Sequence, residues 1–147
     1  MNCEFPSVGI SKSEEICKIL KDTKIIVILG LSPNPEKASN KVAKYLQEQG
    51  YKIIPVYPKE DLILGEKVYR SLDEINEAYD MIDMFRKPSV ANTVVSKLET
   101  LEHKPKYLWL QEGLVNNEAC EKAEKLGIKT IQNKCTLKEH KLCGEKS

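Results

Sequence analysis

The sequence is poor in the residues that hold a metal, enter a membrane or grip a polyanion. It has two histidines, His103 and His140, and five cysteines, Cys3, Cys17, Cys120, Cys135 and Cys143, with no C-x-x-C pair among them. A structural zinc site therefore lacks its usual ligand spacing. The odd count and the missing framework predict reduced thiols in a cytoplasmic protein. Apolar runs such as Ile25-Ile26-Val27-Ile28-Leu29 fall far short of the roughly 20 residues of a membrane span. The stretch Met1-Asn2-Cys3-Glu4-Phe5-Pro6 has neither the basic start nor the apolar segment of a secretory signal. Lys and Arg number 23 against 22 Asp and Glu, a net charge of +1. That balance leaves no basic excess for nucleic acid and no one-sign surface for a membrane or an acidic partner.

What the chain does have is ordinary globular material. Its 147 residues are 41% hydrophobic and 31% charged, enough for one domain to bury a core without disulfide or metal staples. No repeat, low-complexity tract or Gly/Ser linker marks a boundary. The expectation is a single domain over 1–147, with a core over about 11–133 and a polar tail over 134–147.

Strand-like and helix-like segments alternate. Ser11-x-x-Glu14 reads as a capping box opening a helix through about Leu20. Lys24 to Leu29 is apolar and β-branched without alternation, which is the pattern of a strand buried on both faces. Ser39 is placed to cap a helix that stops at Gly50. Lys52 to Tyr57 is a second strand, whose Pro55 belongs near its end or at an irregular position. Ser71-x-x-Glu74 is a further capping box opening a short helix. Asp80 to Phe85 and Lys106 to Gln111 are the third and fourth strands, followed by helices from Pro88 and Asn116. Ile128 to Ile131 is a short fifth strand, and the tail has a possible helical turn. Strands joined by helices run parallel, with helices on both faces. The predicted fold is α/β: a doubly wound, open, five-stranded parallel sheet, Rossmann-like, in three layers, with order 3-2-1-4-5. Ligands of such sheets bind at the carboxyl ends of the strands, here at the switch point between the first and fourth.

Those ends carry the candidate site. After the first strand come Gly30-Leu31-Ser32-Pro33-Asn34-Pro35 and then Ser39. Loop amides and a helix start can hold a phosphate there, or the segment is simply a βα turn. Only the first glycine of the dinucleotide fingerprint G-x-G-x-x-G is present. After the second strand, Val56-Tyr57-Pro58-Lys59 offers a cation where an NAD site places an acid. Lys59 suits a ribose phosphate, as in NADP or coenzyme A, or is a solvated loop lysine. The third end is Phe85-Arg86-Lys87-Pro88, with Arg86 and Lys87 beside a helix start; Phe85 reads as core in preference to a base-stacking ring. The fourth is Gln111-Glu112-Gly113, polar and able to approach a ligand amide, whereas Trp109 reads as core.

No catalytic constellation stands out. Cys135-x-x-x-Glu139-His140 brings thiol, acid and base together only if the tail is helical, and Asp80 and Asp83 point to opposite faces of their strand. No nucleophile elbow and no Gly-Lys-Ser/Thr phosphate loop is present. No catalytic or metal-ligating residue is assigned.

Taken in order, these stretches resemble the small stand-alone CoA-binding proteins of bacteria, similar to the N-terminal CoA-binding domain of the succinyl-CoA synthetase alpha subunit. The matching residues are Gly30-Leu31-Ser32-Pro33-Asn34-Pro35, Ser39-x-x-Val42-x-x-Tyr45-Leu46 and Gly50-Tyr51-x-Ile53-Ile54-Pro55-Val56-x-Pro58-Lys59. They continue through Leu64-Gly65-Glu66-x-Val68-Tyr69-x-Ser71-Leu72, Phe85-Arg86-x-Pro88, Trp109-Leu110-Gln111-x-Gly113 and Cys135-x-x-x-Glu139-His140. Tyr57 stands where the family usually has Asn, and Lys37 where an Arg is common. The resemblance implies coenzyme A or an acyl-CoA across the strand ends. Ser32 to Pro35 would run along its phosphates and Lys59 would lie near its adenosine end. Phe85, Arg86 and Pro88 would line the adenine, and Gln111, Glu112 and Gly113 would meet the pantetheine. The synthetase also uses a second domain and a partner subunit, for which 147 residues leave no room. The expected function is thus a small-molecule binding module and not a ligase. The alternative is an NADP-binding oxidoreductase or a subunit of one.

Overall fold

A computed structural model describes residues 6–145 of the chain. The residues 1–5 read for a secretory signal, Cys3 included, lie outside the described ones. Five parallel strands form one sheet: β1 (Ile25–Leu29), β2 (Lys52–Val56), β5 (Met81–Met84), β6 (Tyr107–Leu110) and β7 (Lys129–Ile131). Two short strands, β3 (Leu62–Ile63) and β4 (Glu66–Lys67), make a separate antiparallel hairpin. The helices are α1 (Ser13–Asp22), α2 (Ala38–Glu48), α3 (Val90–Thr100), α4 (Asn117–Lys125) and α5 (Thr136–Glu145).

Alternate strand residues sort into two cores, as the two-residue period of a strand requires. Val27, Leu29, Ile54, Val56, Ile82, Met84, Leu108 and Leu110 pack under α3 and α4. Ile26, Ile28, Ile53, Met81, Tyr107, Trp109 and Ile131 pack under α1, α2 and α5. The sheet is therefore the middle of three layers, as the unbroken apolar runs imply.

The strand order is β2-β1-β5-β6-β7, which corrects the expected 3-2-1-4-5 to 2-1-3-4-5. Two observations explain the difference. Pro55 has no N–H, and its carbonyl accepts from Tyr69 on the outer side of β2; a residue's N and O point the same way in a strand, so the missing donor also faces outward. Only an edge strand tolerates that. Met81, Ile82, Asp83 and Met84 are each fully buried, as befits a central strand and not an edge. The switch point consequently lies between β1 and β5, not between the first and fourth strands.

Local expectations change at both helix starts and in the tail, while the Ser71-x-x-Glu74 capping box is present. Lys12, not Ser11, stands at the start of α1, and no side chain caps it. Lys37 holds that place on α2, while Ser39 is already helical and its hydroxyl accepts from the Ser32 N–H at 3.0 Å. The helix expected after Ser71 is one 3-10 turn, Leu72–Glu74, on which the Glu74 carboxylate accepts from Ser71 N–H. The segment read as a tail is α5, which packs on α1 and α2.

The expectation of uniformly reduced thiols does not hold. Cys17 on α1 and Cys143 on α5 form a disulfide, with α-carbons 5.6 Å apart. A separation of 126 residues hides this pair from any spacing rule; only the packing of the two helices brings them together. Cys120 and Cys135 are free. No described helix is long and apolar enough to cross a membrane.

Candidate functional site

The carboxyl ends of β2, β1, β5 and β6 form a continuous rim. Neighbouring strands lie about 4.8 Å apart, so these four ends span roughly 14 Å. The rim holds the four segments singled out in the sequence, now in the order 56–59, 30–35, 85–88 and 111–113.

Between β1 and α2 the chain is stiffened by its own side chains. Ser32 Oγ accepts from Asn34 N–H at 3.1 Å, and Asn34 Oδ1 accepts from Glu36 N–H at 2.9 Å. Asn40 Nδ2 donates to the Ser32 carbonyl at 2.9 Å. Pro33, Asn34 and Pro35 are exposed, Ser39 is buried, and Leu31 is wholly buried in the core. Because no side chain caps α2, its positive end faces this loop and can take an anion. Gly30 has φ +91°, and a β-carbon there would meet Arg86 Nε at 3.1 Å and the Phe85 carbonyl at 3.2 Å. The glycine thus lets the Arg86 side chain lie across the end of β1.

At the β2 end, Val56 is buried, Tyr57 half-buried and Lys59 exposed. No ion pair joins Lys59 to Glu60 or Asp61 among the described residues. Arg70, absent from the sequence-based candidates, organises this loop: its Nη1 donates to the carbonyls of Tyr57, Lys59 and Glu60 at 3.2, 3.1 and 2.9 Å. The signal was available only indirectly, in the Val68-Tyr69 pair flanking it, which runs back along the edge of β2.

Leu29, Val56, Tyr57, Arg70, Arg86 and Lys97 help to line a cavity of about 200 Å³ between the β1 and β2 ends and α3. Its described lining includes three cations and no carboxylate. Lys97 is paired with Asp73 at 2.9 Å, so the two arginines supply its open positive charge. A larger cavity, about 330 Å³, lies at the opposite end of the sheet beside the disulfide. The smaller one sits where parallel sheets bind ligands.

Phe85 packs on the core under α1, α2 and α5, and the Pro88 carbonyl accepts from Asn116 Nδ2 at 2.8 Å. The fourth segment is tied to the start of α5 at each residue. Gln111 Nε2 donates to Asp83 Oδ1 at 2.6 Å and to Thr136 Oγ1 at 2.9 Å, and the Thr136 hydroxyl donates to Asp83 Oδ2 at 2.9 Å. Glu112 pairs with Lys138 at 2.7 Å, and Gly113 N–H donates to Asn133 Oδ1 at 2.7 Å. The side chain of Gln111 is thereby committed to the protein interior. Burial pushes the Asp83 carboxyl up to about 7, against the opposing pull of the Gln111 and Thr136 hydrogen bonds. Trp109 is fully buried, and its indole donates to the Lys134 carbonyl at 2.7 Å.

Cys135 and His140 are set on different tasks. Cys135 precedes α5 near the rim, whereas His140 Nδ1 is hydrogen-bonded to the Tyr45 hydroxyl at 2.7 Å and its ring lies edge-on to Tyr45 and Tyr51. Burial lowers the His140 pKa.

A family model described as a CoA binding domain matches residues 24–141. The uncharacterized protein YneT of Bacillus subtilis (strain 168) is 38% identical over 126 residues, covering 86% of this chain and 92% of that protein. A hypothetical protein from Pyrococcus horikoshii OT3 has a similar structure, with TM-score 0.84 and 35% identity over 97% of this chain and 99% of that one. A Thermus thermophilus structure, cell-free ID.343, gives TM-score 0.83 and 30% identity over 90% of this chain and 99% of the other.

Proposed function

Because the chain belongs to the CoA binding domain family, we propose that it binds coenzyme A or an acyl-CoA along its four strand ends, as a binding module with no reaction of its own. The observation that carries this reading is the rim cavity, where Arg70 and Arg86 meet an apolar wall and no carboxylate lines the space. A phosphorylated adenosine fits that chemistry, since its base needs apolar contact and its phosphates need cations. An NAD site fits it poorly, because a carboxylate is what a bare ribose usually meets; the NADP alternative is separated by the ligand series below.

In this arrangement the adenosine occupies the cavity, with Lys59 and Arg70 at its ribose phosphate and Arg86 beside the adenine. The diphosphate follows the stiff 32–35 loop to the start of α2, where Ser39 fixes the backbone of Ser32. The pantetheine continues toward Gln111, Glu112 and Gly113, meeting backbone in place of the Gln111 side chain. The binding reading is supported by the engagement of the His140 ring with the Tyr45 hydroxyl. We assign the protein to the cytoplasm; Cys120 and Cys135 remain free thiols, as a reducing compartment favours.

A thermal-shift series with CoA, dephospho-CoA, NADP and NAD tests the proposal. A ligand at a hundred-fold excess over its dissociation constant adds about 2.7 kcal/mol. That gain should raise Tm by on the order of 10 °C. CoA is expected to give this shift and NAD none. A shift with NADP and none with CoA would replace this reading with the oxidoreductase one.

A further inference from the structure

A cavity larger than the one at the rim takes no part in it. It lies where α1 and α5 meet the amino ends of β1 and β2, since Lys24 and Tyr51 immediately precede those strands. Its volume is about 330 Å³, and Cys17, Cys143, Lys21, Lys24, Tyr51 and His140 are among its lining residues. Both cysteines are half-buried, so their bond is sheltered by the cavity and still reachable through it.

The charged side chains that line the cavity, Lys21 and Lys24, are of one sign. Lys21 is four residues beyond Cys17 on α1, so that cysteine has a cation one helical turn away. No carboxylate is among the described lining residues: Glu14, one turn back from Cys17, and Glu139, one turn back from Cys143, are both outside the lining. A thiolate entering here is drawn by Lys21 and Lys24, and a thiolate released from Cys17 is stabilised by Lys21. The His140 ring is held by Tyr45 and acts only as part of the wall.

We propose that the Cys17–Cys143 disulfide is a thiol-exchange site, opened by a small carboxylate-bearing thiol that enters this cavity. The incoming thiolate attacks the Cys143 sulfur, forming a mixed disulfide there and expelling Cys17 as a thiolate, which takes a proton from water. A second molecule of the same thiol attacks its own sulfur in the mixed disulfide. This releases the oxidised thiol dimer and leaves Cys143 as a thiolate that is protonated in turn. Two thiols are oxidised and one protein disulfide is reduced. In a compartment that keeps thiols reduced, such a bond is a transient and sensing one. The cavity is at the small end of ligand sites, which suits a thiol of di- or tripeptide size and not one carrying a nucleotide. This inference does not depend on CoA binding at the rim.

The test is the rate at which the air-oxidised full chain opens, followed by alkylation quench and mass spectrometry. The probes are mercaptosuccinate, 2-mercaptoethanol, cysteamine and CoA, each normalised to its rate on 2-hydroxyethyl disulfide. Mercaptosuccinate should be fastest and cysteamine slowest, with roughly tenfold between them, and CoA should lag behind mercaptosuccinate. The double variant Lys21→Gln, Lys24→Gln should lose the preference while keeping its disulfide. Equal normalised rates, a preference unchanged in the double variant, CoA as the fastest probe, or Cys17 and Cys143 recovered as free thiols would each overturn the proposal.

Discussion

The Arg86 side chain lies across Gly30, with its Nε 3.1 Å and its Cδ 3.2 Å from the place a β-carbon would occupy. The contact joins the end of β1 to the end of β5 at the switch point of the sheet. Gly30→Ala should therefore act twice. It forces a side chain onto a backbone at φ +91°, at a cost of about 1–3 kcal/mol, and it displaces Arg86 from the rim cavity. Denaturant titration should register the first effect. CoA titration at a temperature where the variant is folded should register the second, as an affinity loss beyond that of Arg86→Lys.

Lys59 can be separated from a generic surface lysine by the ligand used. If it meets the ribose phosphate, Lys59→Ala should weaken CoA about ten- to a hundred-fold and leave dephospho-CoA nearly unchanged. Calorimetric titration of both ligands checks this, and equal losses would return Lys59 to the solvent.

Arg70 holds three carbonyls of the 57–60 loop with one nitrogen. Since it is exposed, Arg70→Ala should cost under about 1 kcal/mol of stability, yet lower CoA affinity by roughly tenfold through the loosened loop. Arg70→Lys, which cannot span the three carbonyls as a planar fork does, should recover little of it.

Asp83 gives the protein a pH signature. Its carboxyl titrates at about 7 when folded against 3.8 when exposed, so the folded state holds a proton that the unfolded state has already lost between those values. Its contribution is complete below about pH 4 and is lost as pH rises through about 7, by up to about 4 kcal/mol. Asp83→Asn should remove that decline. The difference in unfolding free energy between the two proteins, measured from pH 4.5 to 8, should shift steadily in favour of the variant. A constant difference would contradict the burial argument.

Breaking the Cys17–Cys143 bond releases a loop closed over 126 residues, which typically costs about 2–4 kcal/mol. Cys143→Ser should lower Tm by roughly 5–15 °C, and reductant should bring the unmodified protein to the same value without affecting the variant.

Much of this was legible in the chain because strands buried on both faces announce themselves. Lys24 to Leu29 read as an interior strand for that reason, and the four rim segments follow from where the strand-like runs stop, whereas Asp80 to Phe85 was expected at an edge and lies in the middle of the sheet. The neighbour of each strand was harder to read, because pairing depends on long-range contacts; Pro55 was read as a strand-end or irregular residue, and its bearing on the edge emerges only from the pairing. Ser39 illustrates the limit of capping rules: its hydroxyl serves Ser32 seven residues back in the chain, so a local motif was serving a loop. Gln111 was read from its place at a strand end, but its partners, Asp83 and Thr136, lie 28 and 25 residues away. Arg70 had no pattern of its own. The disulfide and α5 were hidden together, since a polar helix acquires its inner face only from the helices it covers.

The Thr136–Asp83 bond also bears on how the chain comes to fold. Asp83 waits for a partner 53 residues further along, so a nascent chain can assemble β1, β2 and β5 while that carboxyl still faces water. At a synthesis rate of about 5–20 residues per second, the gap amounts to several seconds. During that interval the protonated form is the cheaper one to bury, and the part of the second face that α1 and α2 leave uncovered stays open. Docking of α5 beside α1 and α2 is thus the step that completes this face, and a chain cut short before Thr136 would leave the central acid without its hydroxyl partner.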